Sequence, residues 1–102
     1  LTRLTKLEHL NLEYTSAADL RPLAHMKKLK VLLLANTFVV DLSPLADLTM
    51  LTELGLDDTP VTDVSPLAKL PSLRRLRLRH THVRHQEVVA LQKALPNCEI
   101  SH

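Results

Sequence analysis

Three of the six histidines fall within one short run, His80-Thr81-His82-Val83-Arg84-His85, and that density raises the question of a bound metal. A tetrahedral site needs ligands converging at about 2 Å from one ion, drawn from His, Cys and carboxylates at fixed spacing. No Cys or carboxylate pair accompanies this run, and His80 and His82 flank Thr81 where the chain is expected to turn. The run reads as solvated turn histidines, with no metal. Nucleophiles fare no better. Ser43 and Ser65 each precede a Pro and read as helix N-caps, so neither is left for a Ser-His pair. Cys98 is the single cysteine, which excludes an intrachain disulfide and every CxxC motif; it reads as buried filler rather than a reactive thiol. With one glycine, Gly55, neither a Gly-rich phosphate loop nor a GxGxxG can be written. The residues therefore support no catalytic set, no cofactor and no enzyme activity. What they leave is a surface.

Charge narrows what such a surface would bind. The net charge of +2 is too weak to imply nucleic acid by itself, and no apolar run is long enough to insert into a membrane. The basicity is local: the five Arg between Leu73 and His85 meet no acid there, and +2 less five leaves −3 for the rest of the chain.

The elements that would position these side chains follow from a repeat. Leu supplies 24 of the 102 residues, roughly a quarter, and such an excess must come from a pattern. Leu7, Leu29, Leu51 and Leu73 follow one another at intervals of 22, and each begins the phrase LxxLxL. Three residues after each phrase stands a Thr (Thr15, Thr37, Thr59, Thr81), then Ala17, Val39, Val61 or Val83. The back half repeats as Asp19-Leu-Arg-Pro-Leu-Ala, Asp41-Leu-Ser-Pro-Leu-Ala and Asp63-Val-Ser-Pro-Leu-Ala. Alternation with a period of two predicts short strands whose Leu point inward. One strand cannot bury that face alone, so stacked copies must form a parallel sheet over a continuous core. The four Thr hydroxyls are expected to turn inward as a structural ladder and bond backbone groups where the chain leaves the sheet. Ser-Pro is expected to open a short 3₁₀ turn, with a weaker cap in the first copy, where Arg21 replaces Ser. After Val83 the pattern stops, and residues 86–95 carry Val88, Leu91 and Leu95 at helical spacing, a capping helix with Cys98 and Ile100 folded under it.

These phrases resemble the leucine-rich-repeat family, most closely its bacterial 22-residue, internalin-like class, with Thr in place of the Asn-ladder residue. The resemblance covers nearly the whole chain. It implies an α/β fold: a right-handed solenoid with a short parallel sheet on the concave face, 3₁₀ or short helical turns on the convex face, and a C-terminal capping helix. The expected division is residues 1–85 as repeats (a partial repeat over 1–6, then repeats starting at 7, 29, 51 and 73) and 86–102 as cap. Leu1 and Leu4 match the back half of a repeat whose strand is absent, which leaves Leu7, Leu10 and Leu12 without a neighbour on one side. Missing repeats are the favoured cover for that layer; a different N-terminal domain and self-association are the alternatives.

The outward strand positions are His9, Asn11, Glu13, Tyr14; Val31, Leu33, Ala35, Asn36; Glu53, Gly55, Asp57, Asp58; and Arg75, Arg77, Arg79, His80. In-register stacking at about 4.8 Å predicts ion pairs Glu53–Arg75 and Asp57–Arg79, each contributing at most about 1 kcal/mol. That leaves Arg74, Arg77 and His80 without a partner, Arg77 opposite Gly55, and these with Tyr14, Leu33 and Asn36 are the candidate partner-binding residues. The reading is a non-catalytic protein–protein interaction module that binds a protein partner through the concave sheet face as part of a larger bacterial protein. The alternatives are a substrate-targeting domain of a larger effector enzyme and, less favoured because Glu53, Asp57 and Asp58 adjoin the arginines, a nucleic-acid surface on the fourth strand. Either a cytoplasmic or a secreted location fits.

Overall fold

The computed structural model describes residues 5–102; the expectation for Leu1 and Leu4 lies outside the described residues. The alternating leucines form strands of three residues each: β1 (His9–Asn11), β2 (Val31–Leu33), β3 (Glu53–Gly55) and β4 (Arg75–Arg77). A fifth, β5 (Glu99–Ser101), completes a parallel sheet of order β1-β2-β3-β4-β5. The repeat sets the register: Leu10, Leu32, Leu54 and Leu76 stand side by side. The four-strand expectation is therefore one strand short. Ile100 pairs with Leu76 in the sheet instead of only filling space beneath a helix. The physical reason is the open edge of β4, whose backbone groups need partners: Leu78 N donates to Ser101 O at 2.7 Å and Glu99 N to Arg74 O at 2.8 Å.

The hydrogen-bond ladder runs beyond the assigned strands. Leu12 N donates to Leu33 O (2.9 Å), and Tyr14, Asn36 and Asp58 donate to Ala35, Asp57 and Arg79. At those last residues, and at His80, the backbone turns sharply into the left-handed region, with φ of 60° at Tyr14, 57° at Asn36, 58° at Asp58 and 58° at His80. Left-handed backbone costs a side-chain-bearing residue on the order of 1 kcal/mol, least for Asn and Asp. This column of turns replaces the last outward strand position expected from the pattern.

The very next residue closes the corner. Thr37 Oγ1 donates to Leu34 O and Thr59 Oγ1 to Leu56 O, both at 2.7 Å, and both threonines are buried. Thr15 and Thr81 make the same bond, to Leu12 O and Leu78 O, but Thr15 is exposed and Thr81 half-buried. Each hydroxyl thus ties a carbonyl three residues earlier in its own repeat; the ladder is a stack of local bonds.

On the opposite side the chain makes 3₁₀ turns at Arg21–His25, Ser43–Leu45 and Ser65–Leu67, each with Pro in its first positions. The expected serine caps are not formed. The carboxylates cap instead: Asp19, Asp41 and Asp63 accept from the backbone N–H of Arg21, Ser43 and Ser65 at 2.9–3.0 Å. An Asp two residues ahead reaches that N–H as an Asx turn. The first copy is not weakened, because the Arg21 guanidinium doubles the contact, its Nη2 lying 2.7 Å from Asp19 Oδ2.

Core leucines are most completely buried mid-stack: Leu32, Leu34, Leu54 and Leu56 have no exposed surface, whereas Leu7, Leu10 and Leu12 in the first repeat are half-buried. At the other end α1 (His85–Ala94) lays Val88 and Leu91 over the last layer. Its C-terminus is fastened by Gln92, whose Nε2 donates to Leu95 O and Cys98 O. Cys98 is buried, and that burial pushes its thiol pKa up.

Two predictions follow from these bonds. Thr59→Val removes the hydroxyl from a buried carbonyl to which no other described group donates, and should lower stability by about 1–3 kcal/mol in urea titration. The same change at exposed Thr15 should cost less. The second concerns acid. The guanidinium and backbone N–H of Arg21 hold the Asp19 carboxyl down at about 2, and the N–H of Ser43 and of Ser65 lowers Asp41 and Asp63. A carboxyl depressed on folding stabilises only while ionised, so its contribution is complete above the ordinary Asp pKa of about 3.9 and is lost as pH falls toward the folded value. The melting-temperature difference between the parent chain and Asp19→Asn should therefore hold from pH 7 to about 5 and shrink toward pH 2; a difference independent of pH would overturn this.

Candidate functional site

The sheet's outward face is built by elimination. Leucines at alternate positions take the core, so the residues between them must face out, and the register sorts them into rows. One row runs His9, Val31, Glu53, Arg75, Glu99 and the next Asn11, Leu33, Gly55, Arg77, Ser101. The left-handed turns set Tyr14, Asn36, Asp58 and His80 along the exit edge, all exposed. Tyr14 is 79% exposed.

Leu33 and Gly55 are coupled. A Cβ at Gly55 would meet Leu33 Cδ2 at 3.3 Å, so the absent side chain lets Leu33 lie, half-buried, across the next strand. The space expected to keep Arg77 free is thus partly occupied by leucine. The expected ion pairs are also rearranged. Glu53 stands in register with Arg75 but its Oε2 lies 4.0 Å from Arg77 Nη2, a diagonal contact between half-exposed groups. Asp57 Oδ1 accepts from the backbone N–H of Arg79 at 2.9 Å rather than from its guanidinium. His80 Nδ1 lies 3.2 Å from Asp58 Oδ1. Arg77 and His80 are therefore partnered, against expectation, and among the described residues no carboxylate pairs with the guanidinium of Arg75 or Arg79. Long side chains reach diagonal neighbours as readily as direct ones, and register alone does not choose between them.

Arg74 does not join the face. It stands where the strands begin, in the column of Glu8, Lys30 and Thr52, and its Nη1 donates to Pro71 O (3.2 Å) and Leu73 O (3.4 Å). Lys30 and Glu8, in the same column, lie 3.4 Å apart. Tyr14, Leu33, Asn36, Arg77 and His80 share the sheet face or its exit edge; Arg74 is separate. Phe38 (65% exposed) and Val40 (50%), on the loop beyond that edge, escaped the sequence reading. Their signal was the column Ser16, Phe38, Pro60, His82, where the one Phe interrupts polar residues and a Pro.

The histidine run stays open. His85 and His102 rings lie 6.2 Å apart, His102 Nε2 is 3.2 Å from Val83 O, and among the described residues no three His, Cys, Asp or Glu gather as a metal site. No described helix is long and apolar enough to cross a membrane.

No family model matches the chain, and no curated protein matches it by sequence. Solved structures do. Internalin C2 from Listeria monocytogenes strain 4b F2365 is 34% identical at a TM-score of 0.89, over 96% of this chain and 42% of its own. An internalin (inlF) from the same strain is 29% identical at 0.86, over 95% and 28%, and a leucine-rich-repeat protein of Leptospira interrogans is 26% identical at 0.85, over 94% and 25%. The chain thus spans less than half the length of each. The period of 22, the parallel sheet with its 3₁₀ turns, and these likenesses together place the chain in the leucine-rich-repeat family, in its bacterial internalin-like class.

Proposed function

We propose that the chain is a non-catalytic interaction module that takes a protein partner on the concave face of its sheet, with Tyr14, Leu33 and Asn36 as the central contact and Arg77 and His80 at a basic edge. One observation carries the reading: Tyr14, the chain's single tyrosine, is 79% exposed on a left-handed backbone beside Leu33's strand. An aromatic residue left in solvent at a conformational cost contributes nothing to the core, and Tyr with Arg tends to dominate interface energy. The backbone beneath it is fixed by the stacked core, so a partner meets side chains that need little ordering.

Asn36 occupies the same left-handed position one repeat on, so Tyr14→Asn is compatible with the backbone and tests contact rather than folding. With a partner isolated by affinity capture on this chain, calorimetric titration should show Tyr14→Asn weakening binding by at least about tenfold, or 1.4 kcal/mol, at an unchanged melting temperature. Arg84→Glu, off the sheet at the start of α1, should leave affinity within about twofold. Equal effects of the two substitutions would move the binding surface elsewhere.

A further inference from the structure

We infer that the β4 face receives an extended acidic peptide, the guanidinium groups of Arg75, Arg77 and Arg79 engaging carboxylates at alternate peptide positions. The inference rests on the proposed use of the sheet face and names the chemistry of what it binds. Leu76 and Leu78 have no exposed surface, so the three arginines between and beside them project outward in single file, all exposed. Alternate residues of a strand are about 6.6–6.8 Å apart. An extended peptide lying along β4 has the same repeat, and carboxylates two residues apart would meet successive guanidinium groups.

The charge state of the file favours such a ligand. Arg75 and Arg79 have no carboxylate partner among the described residues, and Arg77's contact with Glu53, at 4.0 Å and half-exposed, is weak enough to exchange for a closer one. Guanidinium groups hold carboxylates through two parallel hydrogen bonds, a geometry an ammonium lacks. Between Arg77 and Arg79 lies a depression of about 290 Å³, also lined by Asp57 and Ser101. The Ser101 hydroxyl can donate to an incoming carboxylate, and Asp57 Oδ1 is already engaged by the Arg79 N–H.

The flanks select the ligand's shape. Glu53 and Asp57 border the file on the β3 side and Glu99 on the β5 side, each one strand spacing away, about 4.8 Å. Such a fence repels a broad polyanion and accepts a single file of acids whose intervening side chains are neutral or basic. Strands β3, β4 and β5 carry no aromatic residue on which bases would stack.

The test uses a fluorescein-labelled nonapeptide of alternating Glu and Ser, a peptide of the same composition with its Glu in one block, and a single-stranded oligonucleotide, each titrated against the 102-residue chain. At about 50 mM salt the alternating peptide should bind at least about fivefold more tightly than the blocked one, and weaken by 150 mM. Replacing Arg75 and Arg79 together by Ser should weaken it at least about tenfold, while Arg84→Ser stays within about twofold. Equal affinity for both peptides, a double variant that binds like the parent, or tighter binding of the oligonucleotide would each overturn the inference. A protein partner sensitive to Tyr14→Asn but indifferent to Arg75 and Arg79 would also overturn it, while leaving the sheet-face function standing.

Discussion

Each leucine layer is buried by the layer beside it, and every other feature of the molecule depends on that contact. Leu32 and Leu54 lie between registered neighbours and have no exposed surface, whereas Leu10, beside Leu32 at the end of the described stack, remains half-buried. Burying a leucine contributes about 1.5–3 kcal/mol, but only where the next repeat supplies the other wall. Stability is then a sum over neighbours rather than a property of any one repeat. The same stacking aligns the outward positions in rows, so the composition of the binding face is a by-product of core registration.

Local fasteners hold the corners. The Thr hydroxyl bonds a carbonyl three residues back, and the Asp carboxylate bonds an N–H two residues ahead, in every copy that has the residue. Repetition has a drawback on the Asp side, because stacking places like charges in a column and Asp41 feels both Asp19 and Asp63. Its carboxyl is nonetheless lowered overall, so hydrogen bonding from Ser43 outweighs the repulsion. Elsewhere repetition is interrupted at no evident loss. Phe38 N and His82 N each donate to the preceding repeat, while Pro60, in the same column, has no N–H to offer.

The charged third and fourth strands show how far register constrains contacts. It places Glu53 opposite Arg75, yet the nearer approach is to Arg77, and Asp57 serves a backbone N–H. Leu33 contributes by lying across Gly55, where any Cβ would crowd it. On these strands the arginines whose guanidinium groups pair with no carboxylate among the described residues are consequently Arg75 and Arg79, whereas Arg77 meets Glu53 and Arg74 bonds backbone carbonyls.

The period of 22, the parallel order and the leucine core were legible in the sequence, because a strict spacing of apolar residues admits one way of burying them all. The buried hydroxyl bonds of Thr37 and Thr59 have partners within their own repeat, whereas Thr15, at the end of the described stack, makes the same bond but stays exposed. Tertiary structure decided what depends on distance between side chains or on the unpaired end of the sheet. Glu99–Ser101 became a strand because β4 had an edge to satisfy, not because Glu-Ile-Ser carries the repeat's pattern. Tyr14 entered the left-handed region because the ladder carries it, like its equivalents Asn36, Asp58 and His80, to the strand's exit, although it alone among the four is not a type enriched there. Which guanidinium meets which carboxylate was settled last, since a long flexible side chain can reach several neighbours and only the assembled surface selects one.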